Sequence, residues 1–444
     1  MSTNDGADEG ANENIDPKDF EAFLRSFLEG NANFDTEKLA EVAGLPKDPA
    51  ALSALINQLQ SAISSMPESG VGVNWQLALK QAREIAHRGS IAVSESSRKQ
   101  ILDAVSIGSL WLNQATSISE LSTEPKLLTR EVWVADAIAL FEALASPIAS
   151  RMSDALSANL SQNLPEELEA VAGPAAKMFK SAGGALFAMQ LGQALGKMSG
   201  EVLAGGDIGL PIFQDQRAAF VPQNLAEFVG GLEVEPDQVY IYLAVREMAH
   251  ARLFKHSKWL REHVVSQISA YASEISIDTS RVEEIAADFD PANPEDIKRI
   301  IESGGLIAER TPEQNRALER IEIMLALIDG WVDAVTTEAT RLLPKAAAIS
   351  EAVRRRRATG GPAEQTFQTL IGLELRPRKL REAAAMWVTL GEKLGTEKRD
   401  SLWNHPDLVP SESDIENPSA LIERLASNDN QDSIDDELRK LFGE

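Results

Sequence analysis

The chain has 444 residues, of which 43% are apolar and 5% aromatic, and it carries a formal net charge of −25. That apolar fraction supports a buried core and excludes global disorder, while abundant alanine and leucine favour helix over sheet. The acidic balance argues against general nucleic-acid binding, because a phosphate backbone would be repelled. The absence of cysteine removes disulfides, thiolate zinc sites, iron–sulfur clusters and a cysteine nucleophile together.

Residues 1–16 are rich in Asn, Asp, Gly and Glu, with little to bury, and read as a disordered acidic leader. They lack the basic and apolar segments of a secretory signal, so a cytoplasmic protein without a transmembrane segment is expected. Residues 17–70 are expected to form an N-terminal helical region, opened by Asp16-Pro17 and marked by a stripe of Phe20, Phe23, Leu24, Phe27 and Leu28. The main helical domain is expected over 71–425, followed by a linker and short amphipathic helix over 426–444. Within the domain, helices are predicted at Asn74–His87, Glu95–Gln114 and Thr129–Ala145, the last stopped by Ser146-Pro147. Over Pro174–Leu203, Gly184, Ala188, Gly192, Gly196 and Gly200 recur every four residues, giving a helix that can pack backbone-close on a neighbour. Lys177, Lys180 and Lys197 interrupt this stretch too early for a membrane span. The following Gly205-Gly206-Asp207-Ile208-Gly209 has no P-loop lysine and no strand–helix setting for a phosphate cradle.

A short strand over Ala218–Val221 and a helix over Leu225–Leu232 lead to one long helical stretch, Asp237–Val265. Further helices are predicted at Val282–Phe289, Pro294–Ser303, Pro312–Glu338, Lys345–Ala358, Pro362–Leu370, Pro377–Leu394 and Pro418–Leu425. The architecture expected is therefore mostly α with minor β.

The chemistry concentrates on Asp237–Val265. Its centre, Arg246-Glu247-Met248-Ala249-His250, is a degenerate H-E-x-x-H, the motif in which two histidines four apart hold Zn²⁺ and the glutamate polarises a water. Glu247 and His250 share a helix face, and Arg246 stands where the first histidine belongs. A guanidinium stays protonated and has no lone pair for a metal. His256 and His263 cannot restore the i, i+4 geometry. A second fragment, Asp329-Gly330-Trp331-Val332-Asp333, puts two carboxylates on one face of an otherwise apolar helix. Arg246 is expected to replace the cation and pair with Asp329 or Glu247.

These fragments come with Asn74-Trp75, Met189 to Gly196, Asp207 to Pro211, Tyr242 to Glu247, His250 to Phe254, Trp259-Leu260-Arg261, Thr311 to Gln314, Arg354 to Gln365 and Trp403 to Leu408. As a set, spanning about Asn74 to Ala420, they resemble the actinobacterial zincin-like hydrolases. That family carries the zinc-dependent metalloprotease label and has relatives in deazaflavin-cofactor gene neighbourhoods. The resemblance implies a mostly helical, zincin-like fold. It also implies Glu247 as catalytic base, His250 and Asp329 as metal ligands, and Asp333 as the acid behind them. Arg246 departs from the pattern, so zinc and no metal stand as equal expectations. Two functions follow: a metallopeptidase or hydrolase, or a pseudo-enzyme in which the same scaffold binds a protein, peptide or anionic partner. Arg354, Arg355, Arg356 and Arg357 are the dense positive run of this acidic chain and the candidate anion-binding residues. At four successive helical positions they cannot all face one ligand, and internal pairing with carboxylates is the plainer expectation.

Overall fold

In the computed structural model, which describes residues 73–163, 184–185, 187–274, 310–359, 368 and 378–427, helices begin where the sequence supplies caps. Helix α1 (Trp75–His87) opens on Asn74, whose Oδ1 accepts the Leu77 N–H at 3.0 Å. Helix α2 (Glu95–Ala115) opens on Ser94 in the same way. Strand β1 (Lys126–Leu127) precedes α3 (Arg130–Asn163). The expected stop at Ser146-Pro147 is not taken, and α3 runs through Pro147. Leu144, Ala145 and Ile148 are buried on either side, and the Ser146 hydroxyl donates to the Glu142 carbonyl. Core packing holds a helix that a lone proline would locally break. The segment Arg130–Ser150 is long and apolar enough to cross a membrane. Its Trp133, Val134, Ala137, Phe141 and Leu144 are nonetheless buried in the protein core.

Residues 187–198 form α4, and the four-residue glycine spacing serves helix packing. A Cβ at Gly192 would lie 2.6 Å from the Ala78 carbonyl oxygen, and one at Gly196 would lie 2.7 Å from Ile85 Cβ. Only glycine lets α4 approach α1 this closely. Strand β2 (Ala219–Phe220) pairs in parallel with β1, Lys126 opposite Ala219, and Ala204 bridges Phe220 from the other side. These short pieces are the β structure among the described residues.

Helix α5 (Pro222–Gly230) leads to α6 (Pro236–His256), which is buried along nearly its whole length from Val239 to Phe254. The stretch expected as one helix is two, since the chain breaks at Ser257 before α7 (Lys258–Ser273). No glycine or proline marks the break. The Ser257 hydroxyl instead donates to the Trp403 carbonyl at 2.8 Å, a tertiary bond that holds its backbone off helical geometry. Helix α8 (Pro312–Ala339) starts on a capping box between Thr311 and Gln314. Then come α9 (Ala346–Thr359), α10 (Leu380–Ser401), kinked at Gly395, and α11 (Glu412–Glu416).

The tightest partnerships are α8 with α10 and α2 with α6, and α6 and α8 also pack on each other. A continuous core runs from Ala82 to Leu421 and includes the stacked Trp387 and Trp403. Asp400 ties α2, α8 and α10 together: its carboxylate accepts from Thr116, Ser117, Trp331 and Arg399. Gly330 marks the closest approach of α8 to α10, where a Cβ would sit 2.8 Å from both Ala383 Cβ and the Ala384 nitrogen. Gly330→Ala is expected to lower stability by about 1–3 kcal/mol in urea melts, as overpacking of tight cores does. Ala383→Gly in the same chain should recover part of that loss. The leader over 1–16, the region 17–70, the helices expected at Val282–Phe289 and Pro294–Ser303, that at Pro362–Leu370 apart from position 368, and the tail beyond 427 lie outside the described residues.

Candidate functional site

Helix α6 carries Arg246, Glu247 and His250, and α8 carries Asp329 and Asp333 on the facing side. The two helices pack on each other, which turns two weak sequence patterns into one constellation. Both Asp329 and His250 line a single cleft, walled by Leu203, Leu243, Val332 and Val353. The residues predicted for the site are thus brought together.

Arg246 reaches across to both acids of α8. Its Nη2 lies 3.6 Å from Asp329 Oδ1 and its Nη1 lies 4.0 Å from Asp333 Oδ1. The i, i+4 spacing of the two aspartates matches the span of one guanidinium. The arginine run on α9 supplies the rest, each member taking a different direction. Arg357 Nη2 donates to Asp329 Oδ2 at 2.6 Å, and Arg354 Nη2 donates to Asp333 Oδ2 at 2.7 Å. Arg356 donates to both oxygens of Asp207 at 2.8 and 2.9 Å and to the Glu201 carbonyl. Arg355 points outward, 3.7 Å from Glu351. Three of the four arginines therefore pair with three aspartates inside the fold.

Asp329 is 1% exposed. Burial alone would push its carboxyl up, but Arg357 and Arg246 outweigh it and hold the pKa below the ordinary value. Glu247 is built differently. Its Oε2 accepts the Gly206 N–H at 2.8 Å and its Oε1 accepts the Ala219 N–H at 2.9 Å. Burial dominates over these bonds and raises its pKa to about 8. His250 has its pKa lowered to about 4, chiefly by burial, with Asp329 opposing and Arg246 and Arg357 assisting. Its ring lies 4.7 Å from that of Phe254 and flat against Gly206, where a Cβ would come within 2.4 Å of it.

The loop over 205–206, in which the sequence showed only a glycine run without a phosphate-cradle setting, packs directly against the candidate site residues. Gly205 and Gly206 let the backbone touch both Glu247 and His250, and a Cβ on either would collide with one of them. A usable signal was present in the adjacent glycines between α4 and β2. The other histidines are elsewhere: His87 pairs with Glu131 at the end of α1, His256 with Asn404, and His263 packs edge-on against Trp259. His405 bonds the Asp407 N–H in a surface turn.

This donor set does not fit a zinc centre. A catalytic zinc needs three protein ligands and an open position. Among the described residues no three His, Asp or Glu side chains are grouped to hold a metal. Asp329, which shares the cleft with His250, already binds Arg357, with a second guanidinium 3.6 Å away, and both would repel a dication.

The helical layers and the paired α6 and α8 define a zincin-like architecture with an arginine–aspartate centre. The model of the zincin-like metallopeptidase family matches residues 73–422, and the chain belongs to that family. In fold it is similar to a crystal structure from Chloroflexus aurantiacus, a protein provisionally assigned to the hydrolases and described as having a novel fold. The two share 19% identity with a TM-score of 0.55, over 80% of this chain and 99% of that one. No curated protein matches the chain.

Proposed function

We propose that this chain is a zincin-family protein whose metal site has been converted into a structural ion-pair cluster, and that it acts by binding rather than by zinc-dependent hydrolysis. The supporting observation is that Asp329 is hydrogen-bonded to one guanidinium at 2.6 Å and lies 3.6 Å from a second, which comes from the position of the first zinc ligand. Glu247 adds to it. Each of its oxygens accepts one backbone N–H, which ties the side chain to β2 and to the Gly206 loop. In this reading the former catalytic helix pair became the rigid centre of a scaffold for a protein, peptide or anionic partner.

Elemental analysis of protein purified without added metal tests this, together with a peptidase assay on wild type and Glu247→Gln. Zinc well below one per chain, and no hydrolysis that Glu247→Gln removes, are the expected results. One zinc per chain that disappears in His250→Ala would overturn the proposal.

A further inference from the structure

The cleft between α6, α8 and the loop around Gly206 holds three groups whose hydrogen-bonding capacity the protein leaves unmet. The Arg246 guanidinium is 14% exposed at the cleft, and its carboxylate neighbours at 3.6 and 4.0 Å lie beyond hydrogen-bond length. His250 is 6% exposed, and its Nε2 is buried without a partner. Asp329 Oδ1 is likewise buried and unpartnered, although Oδ2 is engaged by Arg357. Buried polar atoms are satisfied in the great majority of folds, and here two orphans lie beside a guanidinium that makes no hydrogen bond to its carboxylate neighbours.

The donor and acceptor pattern selects the chemistry. Arg246 can only donate, Asp329 Oδ1 can only accept, and the neutral imidazole donates from Nε2 in one of its tautomers. A metal ion is disfavoured by the two guanidiniums. An oxyanion without a proton would satisfy Arg246 and His250 but set oxygen against oxygen at Asp329. An oxyanion carrying one O–H satisfies all three. We propose that this cleft binds a small protic oxyanion of the hydrogen phosphate class, its hydroxyl donating to Asp329 Oδ1 and its other oxygens accepting from Arg246 and His250 Nε2. Leu203, Leu243, Val332 and Val353 supply apolar walls, and the cleft is also lined by Asp207, whose charge Arg356 compensates, and by Glu247, whose oxygens accept backbone N–H groups. The inference rests on the metal-free reading of the same site.

The test is titration of the full chain, purified in phosphate-free buffer, with inorganic phosphate at neutral pH and constant ionic strength. Calorimetry and phosphorus NMR would follow binding. Saturable binding of one phosphate per chain is expected, at least tenfold weaker in Arg246→Gln and in His250→Leu and unchanged in the surface variant Arg341→Met. The two cleft variants guard against one of them failing to fold. Sulfate, similar in size but without a proton at neutral pH, should bind at least tenfold more weakly. Equal affinity for sulfate, or binding that neither cleft variant weakens, which means an adventitious ion only, would overturn the proposal. So would the absence of saturable binding. Zinc content of the same sample separates the two failures: no binding in zinc-free protein sinks this inference alone, and one zinc per chain sinks the reading beneath it.

Discussion

Asp329→Ala is expected to destabilise the protein by about 3–5 kcal/mol, measured by urea unfolding of protein freed of metal with a chelator. The carboxylate is 1% exposed and compensates Arg357, itself 8% exposed, through a 2.6 Å bond. Removing one member of such a pair leaves a buried charge without a counter-ion, which costs far more than the net worth of the pair. Arg246 should add less, because it sits 3.6 Å away, is partly solvated and keeps Asp333 within 4.0 Å. Asp329→Asn, which retains an acceptor but no charge, should fall between wild type and Asp329→Ala. The double variant Asp329→Ala with Arg357→Met should recover much of the loss, giving a coupling energy that a surface pair does not reach. A zinc ligand would behave in the opposite way. Without its metal, an aspartate among other ligands contributes little or even repels them, so its removal would leave metal-free stability nearly unchanged. An effect under about 1 kcal/mol would therefore return the site to the metallopeptidase reading.

That contrast depends on features the sequence displays unequally. The pairing of α6 with α8 was legible because E-x-x-H and D-x-x-x-D each put polar groups on one face of an otherwise apolar helix, and such faces are buried together. Capped starts were legible too, as at Thr311-Pro312, where the capping box is local chemistry. Breaks and continuations set by distant contacts were not. Ser257 interrupts a helix through a bond to Trp403, and Pro147 fails to end one because its flanks are packed. The arginine run is the clearest case. Four successive guanidiniums predict no single ligand face, but which arginine meets which aspartate depends on the angle at which α9 crosses α6 and α8. Nothing within Arg354–Arg357 distinguishes the member that reaches Asp329. The role of Gly206 was hidden for the same reason: its need for no side chain comes from the His250 ring, 44 residues later in the chain (250 minus 206), not from a turn of its own.

Glu247 offers the second large effect, and its sign separates a catalytic carboxylate from a buried acid. With a folded pKa near 8 against an ordinary value of 4.5, the folded chain keeps a proton that the unfolded chain has lost over that interval. The unfolded state then binds fewer protons, so the contribution of Glu247 to stability falls as pH rises, by up to about 1.4 kcal/mol per pH unit. His250 acts with the opposite sign. Its lowered pKa of about 4 makes stability rise with pH up to its ordinary value of 6.5. The two effects cancel between pH 4.5 and 6.5, and the wild-type profile alone would hide them. The difference between wild type and Glu247→Gln removes His250 and every surface group from the comparison. Glutamine loses one acceptor toward the Gly206 or Ala219 N–H, but that penalty is constant with pH. The stability difference is therefore expected to move steadily in favour of Glu247→Gln from pH 4.5 to 8 and then level off. A flat difference above pH 5 would mean that Glu247 is ionised in the fold. An ionised Glu247 is what a base acting on water requires, and the backbone bonds from Gly206 and Ala219 would then be holding a charged group ready rather than sealing a neutral one.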